Sequence, residues 1–353
     1  MNILFDAGIM NGDFVGIAKS TWYLYDHCHR RCEDFHAYGF NTRRIQEYPD
    51  VGITLIGRKS KRELLAFARE KNIKIVHYPT NLITWPILSP LRIVLTVHDL
   101  IPYEDKDYFA CQLRKQWYLA RTRFGLKQAD LVTTVSNYSR QAIFDFTKGQ
   151  VSPVPIYWSV TLPDVFPGNA RLDSSYFLYV GGYDRRKGLD ILVRTFLDMK
   201  QKGLTESKLV LAGGPRSLGH ETDKLIQTGV EEGSIVQTGY VSDEELCSFY
   251  ANAVCAVYLS AMEGFGLPVI EAMKYGCPIV TTRKTSLPEI GGDAACYVDR
   301  DNKAELVETM LRLERDSAFR QERIQAGKEN LKRFDWDVSA RNYLEALGSL
   351  MEN

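Results

Sequence analysis

Short apolar runs alternate with longer amphipathic stretches along this chain of 353 residues. Runs of this length favour buried parallel strands, and the stretches between them favour helices. The pattern therefore predicts an α/β fold built from βα units. In the first half the predicted strands are 3–5, 36–40, 51–56, 75–77, 93–98, 131–135 and 154–157. In the second half they are 176–180, 208–212, 235–237, 253–259, 279–281 and 295–298.

The alternation is interrupted once, at 159–173. This segment contains Pro163 and Pro167 and few periodic apolar residues, which is typical of a linker. We therefore predict two doubly wound, Rossmann-like domains, 1–165 and 166–335, that face one another. Ligands are expected at the carboxyl ends of the strands, in the crevice between the domains.

The composition is that of a globular protein, with 45% apolar, 11% aromatic and 25% charged residues. The seven cysteines include no Cys-x-x-Cys pair and lie partly in apolar runs, which indicates reduced, buried thiols rather than disulfides or a zinc site. No apolar run approaches the roughly 18 residues of a membrane span, and the sequence does not open on a basic signal segment. We therefore expect a cytoplasmic protein.

The charge is zero overall but unevenly distributed. Residues 1–165 hold 21 Lys and Arg against 16 Asp and Glu, which leaves 23 against 28 for the remainder. Cations cluster at 58–62 and 114–123. A basic face of this kind fits an anionic membrane or a pyrophosphate-linked acceptor, but a solvated helix face explains each cluster equally well. The neutral total disfavours nucleic acid as a partner.

The most informative segment is 263–271, which reads Glu-Gly-Phe-Gly-Leu-Pro-Val-Ile-Glu. It connects the predicted strand 253–259 to a predicted helix that ends at Gly276. Free N–H groups at a helix start favour an anion such as a phosphate, and ionised carboxylates are strong acceptors for sugar hydroxyls. Glu263 and Glu271 therefore indicate a nucleotide-sugar site. A solvated loop acid and an ordinary first-turn helix glutamate are the alternative.

Two further segments carry candidate chemistry at predicted strand ends. Gly-Gly-Tyr-Asp-Arg-Arg-Lys-Gly at 181–188 combines glycines, which permit close backbone approach, with cations that can neutralise a diphosphate. His98 places a titratable group at the end of the apolar strand 93–98. A solvated turn is the alternative for the first segment, and a packed core histidine is the alternative for the second. The loop with Gly12 and Gly16 is a weaker glycine signal before a helix.

Taken together, these segments resemble the retaining family-4 glycosyltransferases, also called glycosyltransferase group 1. The closest resemblance is to bacterial mannosyl- and rhamnosyltransferases of surface polysaccharide assembly. It covers nearly the whole chain and rests on 96–102, 179–182, 186–188, 239–246, 250–253, 263–273, 276–280, 287–292 and 334–336. The resemblance implies the GT-B fold, in which a C-terminal helix, here 336–353, packs back on the first domain.

The resemblance also implies roles for individual residues. Glu263 would lie near the transferred sugar, and Lys187 would stabilise the departing pyrophosphate. Its partner would be Arg186 or, as the alternative, Arg185. His98 would contact the donor sugar or orient the acceptor. The implied donor-binding residues are Gly16, Gly182, Gly213, Tyr240, Val241, Phe265, Gly266, Leu267 and Glu271.

The implied activity is a retaining transfer of a hexose from a nucleoside diphosphate to a hydroxyl of a glycan or lipid-linked oligosaccharide, as in lipopolysaccharide assembly. Mannose from GDP-mannose is favoured, followed by rhamnose from dTDP-rhamnose and by UDP-hexoses. No cofactor and no metal are expected, and the Asp-x-Asp sequence at 299–301 is interpreted as a turn and helix cap. Peripheral association with the inner face of an anionic membrane, through the basic first domain, is a further expectation.

Three other functions stay open. A sugar-nucleotide epimerase of the same architecture would share the diphosphate site but would need no acceptor. An inactive binding subunit of a glycan-assembly complex would keep the fold and lose charged residues, whereas Glu263, Glu271 and Lys187 are present. A two-domain solute-binding protein would be exported, which the lack of a signal sequence disfavours.

Overall fold

Two compact α/β units make up the chain. Unit 1 consists of Met1–Thr161 and Phe334–Asn353, and unit 2 is Leu162–Arg333. The computed structural model describes residues 1–11, 16–84, 88, 90–105, 108–109, 111–163, 172–214 and 217–352. The predicted domain boundary at 165 lies outside these residues. Within them, no helix is both long enough and apolar enough to cross a lipid bilayer.

Unit 1 is built on an eight-stranded sheet. Its strands are β1 (Asn2–Asp6), β2 (His36–Phe40), β3 (Ile45–Tyr48), β4 (Ile53–Gly57), β5 (Ile75–Tyr78), β6 (Arg92–Thr96), β7 (Leu131–Thr134) and β8 (Val154–Pro155). In space the order is β3-β4-β2-β1-β5-β6-β7-β8, and only the pair of β3 with β4 is antiparallel. The helices before unit 2 are α1 (Ile17–Arg31), α2 (Lys61–Glu70), α3 (Ile101–Glu104), α4 (Gln112–Gln128) and α5 (Asn137–Phe146).

Unit 2 is built on a six-stranded sheet in which every neighbouring pair is parallel. Its strands are β9 (Tyr176–Val180), β10 (Lys208–Ala212), β11 (Ile235–Gly239), β12 (Cys255–Tyr258), β13 (Ile279–Thr281) and β14 (Cys296–Tyr297), in the spatial order β11-β10-β9-β12-β13-β14. Its helices are α6 (Leu189–Gln201), α7 (His220–Glu231), α8 (Asp243–Asn252), α9 (Leu267–Lys274), α10 (Leu287–Gly291), α11 (Lys303–Arg315) and α12 (Ser317–Leu331). The predicted fold of two Rossmann-like α/β units is confirmed.

Central strands of both sheets are covered on both faces. In β1, Ile3, Leu4 and Phe5 are all fully buried although successive side chains point to opposite faces. A strand of this kind needs apolar residues at every position, which is why the sequence shows continuous runs rather than alternation.

Strand β3 is absent from the sequence-based prediction, which is wrong at this point. It lies at the edge of the sheet and is paired antiparallel with β4 alone. Ile45 is 82% exposed, so the strand has no buried face. Without a buried face there is no apolar run or alternation that would indicate a strand.

A thirteenth helix, α13 (Trp336–Glu352), packs against α1 within unit 1. Trp336 Nε1 donates to a backbone carbonyl of unit 1 at 3.1 Å. Further along, the Tyr343 hydroxyl lies 2.8 Å from Nδ1 of His77, and the Tyr25 hydroxyl lies 2.6 Å from the same nitrogen. Burial lowers the pKa of His77 to about 3, so this imidazole is neutral. A buried polar cluster therefore fastens α13 in addition to its apolar contacts.

Candidate functional site

The carboxyl ends of the parallel strands in unit 2 collect most of the predicted site residues. Strand β9 is hydrogen-bonded to β10 on one side and to β12 on the other. The segments that follow these three strands therefore emerge at the same edge of the sheet. They contain Lys187 after β9, Gly213 after β10 and Glu263 after β12.

Glu263 is held by one of its carboxylate oxygens. Its Oε1 accepts hydrogen bonds from the Tyr258 hydroxyl at 2.6 Å, the Ser260 hydroxyl at 2.7 Å and Nη1 of Arg186 at 2.9 Å. The main chain is fixed as well, because its N–H donates to Oγ1 of Thr285 at 2.9 Å. Among the described residues, no donor is hydrogen-bonded to Oε2. This second oxygen is therefore left to accept a hydrogen bond from a ligand.

Arg186, rather than Arg185, joins this cluster. The Arg186 guanidinium donates to Glu263 and to the carbonyl of Met262, whereas Nε of Arg185 donates to a backbone carbonyl after β10. The short 3-10 turn that carries both arginines is capped by Asp184, whose carboxylate accepts the Arg186 N–H at 2.8 Å. Of the two candidate arginines, Arg186 is the one that adds positive charge beside the Glu263 carboxylate.

Lys187 lies in the same region with its side chain partly withdrawn from water. Its Nζ is 5.9 Å from the centroid of the Tyr258 ring. Burial lowers the pKa of Lys187 below the ordinary lysine value, and the charge of Glu263 opposes this shift. A Cβ on Gly181 would come within 3.0 Å of Nζ, so glycine there, at a φ of 135°, makes room for the ammonium group. The result is a partly desolvated cation, which an anionic ligand would stabilise.

Glycines keep the neighbouring loops close together. A Cβ on Gly213 would lie 2.1 Å from the carbonyl oxygen of Gly181, and its φ of 145° also favours glycine. A Cβ on Gly214 would lie 2.6 Å from the ring of Tyr240, which is nevertheless 73% exposed. Around Gly182, in contrast, a Cβ would meet nothing within 4 Å. The exposed Tyr240 ring after β11 thus lies beside Gly214 after β10, and the loop after β9 has free space around Gly182.

Helix α9 begins in the predicted glycine turn. Gly266 is its N-cap, with a φ of 108° that favours glycine, and Leu267 is its first residue. Phe265 is buried, and its carbonyl accepts a hydrogen bond from the Ser286 hydroxyl at 2.8 Å. Val241, in the loop after β11, is half-buried. The turn is therefore rigidly supported, and backbone N–H groups at this helix start favour an anion.

Glu271 lies inside α9 and is buried. The Tyr250 hydroxyl donates to its Oε2 at 3.1 Å. Burial raises the pKa of Tyr250 well above the ordinary tyrosine value, and the charge of Glu271 adds to this shift. Because it is buried, Glu271 is not the solvated first-turn glutamate of the alternative interpretation. Carboxylates are seldom buried without a partner, and here the partner is the Tyr250 hydroxyl.

His98 lies in unit 1 and is 5% exposed. Its Nε2 donates to the carbonyl of Pro79 at 3.0 Å, and its ring lies 5.1 Å from that of Trp158. Burial lowers the pKa of His98 to about 4, so the imidazole is neutral. Nδ1 has no hydrogen-bond partner in the part of the chain that the structure describes. The ring also lines a cavity of about 20 Å³, which has room for about one water. Because Nε2 already donates to Pro79, Nδ1 is the ring nitrogen that is left for a hydrogen bond with a ligand.

Gly16, the other predicted site residue of unit 1, is the N-cap of α1. Its φ of 52° explains the glycine on conformational grounds, and a Cβ there would meet nothing within 4 Å. Gly12, the other glycine of the predicted loop, lies outside the described residues.

The described residues contain no cluster of three or more His, Cys, Asp or Glu side chains that could hold a metal ion. At 299–301, Oδ1 of Asp299 accepts the N–H of Asp301 at 3.1 Å. This hydrogen bond forms the turn before α11, as predicted. The predicted cap is wrong in its residue, because Oδ1 of Asn302 accepts the N–H of Glu305 at 3.2 Å and Asn302 is the N-cap of α11.

Three residues that complete the carboxylate contacts are not among the site residues predicted from the sequence. Tyr258 is the last residue of β12 and Ser260 follows it closely, so their position at a strand's carboxyl end is a signal that could have identified them. Tyr250 lies on α8 and meets Glu271 only through the packing of two helices. No spacing in the sequence indicates that contact.

Two family models match the chain: Glycosyltransferase Family 4 over residues 21–155 and Glycosyl transferases group 1 over residues 164–330. O-antigen chain mannosyltransferase B of Escherichia coli is 30% identical over 260 residues, which are 70% of this chain and 67% of that protein. Serotype-specific mannosyltransferase WbdA of Escherichia coli is 22% identical over 328 residues. That match covers 88% of this chain but only 39% of the longer relative.

Solved structures resemble the chain over nearly its full length. Sucrose-phosphate synthase from Thermosynechococcus elongatus has a TM-score of 0.77 at 20% identity and covers 99% of each chain. Anabaena Alr3699/HepE, solved in complex with UDP-glucose, has a TM-score of 0.74 at 16% identity and covers 99% of this chain and 100% of its own. At these identities the likeness concerns the fold alone.

Proposed function

This chain belongs to the GT-B glycosyltransferases of group 1 and family 4, and from that premise we propose that it transfers a hexose from a nucleoside diphosphate to a hydroxyl of a glycan or lipid-linked acceptor. The observation that carries the proposal is Glu263, whose Oε1 is fixed by three donors while Oε2 stays available, close to the half-buried Lys187. A fixed carboxylate suits a sugar hydroxyl, and a partly desolvated ammonium suits a phosphate.

The chemistry we propose depends on the departing diphosphate. The bond between the anomeric carbon and the phosphate oxygen breaks, and the electron pair remains on the phosphate. Lys187 and the N–H groups at the start of α9 stabilise the charge that develops there. Arg186 adds to the positive charge, although its guanidinium is already hydrogen-bonded to Glu263. These cations supply the stabilisation that a metal ion would otherwise give, so no metal is part of the proposal.

Retention of configuration follows in this proposal without an enzyme-bound intermediate. The acceptor hydroxyl enters from the face that the diphosphate leaves, and a phosphate oxygen takes its proton. Glu263 binds the sugar and does not attack it. Three hydrogen bonds hold its Oε1, which supports a fixed binding role over that of a nucleophile that must approach the anomeric carbon.

Mannose from GDP-mannose is the donor we propose, because the relative that is 30% identical over 70% of this chain is named as an O-antigen chain mannosyltransferase. Rhamnose and other hexoses come next. The exposed ring of Tyr240, next to Gly214, is the surface proposed for the base. The proposed acceptor is a glycan or lipid-linked oligosaccharide of bacterial surface polysaccharide.

A thermal-shift panel with GDP, UDP, dTDP and ADP and their sugar conjugates tests the proposal. One nucleotide, at about 100 times its dissociation constant, is expected to stabilise the protein by about 2.7 kcal/mol. Lys187→Ala and Glu271→Ala are expected to lose most of this stabilisation. The first removes the proposed phosphate contact, and the second removes the carboxylate that the resemblance to family-4 glycosyltransferases assigns to the ribose of the donor.

Lys224→Ala is the matched control, since Lys224 is an exposed lysine on α7. It is expected to respond as the wild type does. A panel in which no nucleotide stabilises the wild type, or in which all three variants respond equally, would contradict the donor site. Product analysis with and without an acceptor then distinguishes a transferase from an epimerase.

Because the pKa of Lys187 is lowered, we expect binding of a nucleoside diphosphate to be linked to protonation of this side chain. As the pH rises through this lowered pKa, Lys187 loses its charge and the affinity for a nucleoside diphosphate falls. In the same window the unfolded chain still binds the proton, so the stability of the ligand-free protein rises with pH. Because bound diphosphate restores the higher pKa, binding takes up protons in this window.

Calorimetric titration of the diphosphate in two buffers of different ionisation enthalpy measures this uptake. Lys187→Arg is the control, since a guanidinium stays charged throughout and leaves no proton to take up. A wild type that binds the diphosphate without proton uptake at alkaline pH would show that Lys187 does not contact it.

A further inference from the structure

Side-chain hydroxyls hold the segment that follows β12 where the backbone pairing of the sheet has ended. The paired register of β12 with β13 ends at Tyr258 and Thr281. There the Thr281 hydroxyl donates to the Tyr258 carbonyl at 2.8 Å, and the Thr282 hydroxyl donates to the Ser260 carbonyl at 2.7 Å. Both threonines are buried. The chain after β12 is therefore fixed by side chains at the end of β13 and just beyond it.

The next two hydroxyls along the chain fix the main chain of Glu263. Oγ1 of Thr285 accepts the Glu263 N–H at 2.9 Å, and the Ser286 hydroxyl donates to the Glu263 carbonyl at 2.9 Å. The Ser286 hydroxyl also lies 2.8 Å from the carbonyl oxygen of Phe265. Because both the N–H and the C=O of Glu263 are held, the direction in which its side chain leaves the backbone is fixed.

Thr285 makes its contact from an unfavourable backbone conformation. Its φ is 50°, in the left-handed region, where a β-branched residue is an outlier. In the part of the chain that the structure describes, the other non-glycine residues with a positive φ are Asn41, Asn72 and Lys148, and none of these is β-branched. Strain of this kind costs folding free energy and is found at functional sites, where the surrounding structure enforces it.

The left-handed conformation of Thr285 accompanies a local turn. In an extended chain, consecutive side chains point to opposite sides. Thr285 and Ser286 nevertheless both contact Glu263. Glycine would adopt the left-handed conformation without strain, but it has no hydroxyl that could accept the Glu263 N–H. Threonine at this position therefore keeps the contact with Glu263 at a cost in stability.

We propose that Thr285 is a positioning residue, which holds the Glu263 carboxylate in the orientation that binds the transferred sugar. This role rests on the proposed function, in which Glu263 binds the sugar of the donor. Thr285 acts through the main chain of Glu263, whereas the three donors to Oε1 act on the carboxylate itself. Its effect is therefore confined to ligands that carry the sugar. A bare nucleoside diphosphate, which lacks the sugar, does not depend on it.

Titration calorimetry of the full chain with GDP-mannose and with GDP tests the proposal. If the thermal-shift panel selects another nucleotide, that nucleotide and its sugar conjugate are used. Thr285→Val keeps the shape of the side chain and removes the acceptor. It is expected to weaken binding of the sugar conjugate about tenfold and binding of the bare nucleotide by less than about twofold. Thr285→Ser keeps the hydroxyl and is expected to bind both ligands as the wild type does.

Thr285→Gly separates positioning from stability, because it removes the hydroxyl and the strain together. It is expected to bind both ligands as Thr285→Val does and to unfold at a higher temperature than Thr285→Val. Lys148→Gly is the matched control, since Lys148 is an exposed residue of unit 1 with a φ of 54°. It relieves a similar strain and is expected to raise the unfolding temperature without changing the binding of either ligand.

A double variant tests whether Thr285 acts through Glu263. In a Glu263→Gln background, Thr285→Val is expected to cause little further loss of affinity for the sugar conjugate, because residues that act as a unit are not additive. A fully additive loss would overturn the proposal. An equal loss of both ligands in Thr285→Val would also overturn it, as would a Thr285→Gly protein that binds the sugar conjugate like the wild type. A wild type that binds no nucleotide of the panel would instead contradict the proposed function itself.

Discussion

Lys187→Ala is expected to lower kcat for sugar transfer by about 10²- to 10³-fold, the range found when one preorganised stabiliser of a developing charge is removed. The expected loss is large because Lys187 is partly desolvated, so its charge is less screened than that of an exposed lysine. In the proposed mechanism the charge on the diphosphate is greatest as the glycosidic bond breaks. Steady-state turnover of the donor with a saturating acceptor measures the effect.

The comparison for this variant is Lys224→Ala, which removes an exposed lysine of α7 and should leave kcat unchanged. A Lys187→Ala enzyme with raised KM and the kcat of the wild type would place Lys187 in ground-state binding alone. That result would contradict its proposed role in the departure of the diphosphate.

Glu263→Ala is expected to abolish transfer and also to destabilise unit 2 by about 3 kcal/mol, the lower end of the range for breaking a buried ion pair. Three donors converge on Oε1, and the alanine variant leaves Tyr258, Ser260 and Arg186 without that acceptor. The guanidinium is the costly one, because a charge with little access to water is left unpaired. Urea-induced unfolding followed by circular dichroism measures the stability.

Glu263→Gln separates the two effects of this residue. The amide oxygen still accepts hydrogen bonds, so we expect a smaller loss of stability than in Glu263→Ala. The charge beside Arg186 and the second carboxylate oxygen are lost, so we expect transfer to remain strongly impaired. If Glu263→Gln transferred sugar at the wild-type rate, the carboxylate would have a structural role only.

The architecture was predictable where burial leaves a periodic trace in the sequence. Strands such as β1 and β9 are covered on both faces, so their apolar runs predicted parallel strands close to the observed bounds. Strand β3 is exposed and gave no such pattern. Its pairing with β4 is made by backbone groups, which any sequence carries.

The charged residues of the candidate site were predictable from the sequence. The residues that hydrogen-bond to them were less predictable. Glu263 and Lys187 follow strand ends and belong to a recognisable motif, whereas Tyr250 reaches Glu271 from a different helix. The sequence also did not predict whether His98 is exposed or buried. The same residue at the same strand end can face solvent or pack on Trp158, and only the tertiary structure decides which.

Unit 1 is discontinuous in the sequence, and this has a consequence for the order of folding during synthesis. Its core contains Trp336, Ala340 and Tyr343 of α13 together with residues of β1 and α1. A ribosome completes the sequence of unit 2 before it reaches α13. Since domains fold as units while the chain is made, unit 2 can reach its native state while unit 1 still lacks part of its core. Unit 1, whose synthesis starts first, is therefore the later of the two units to complete its core.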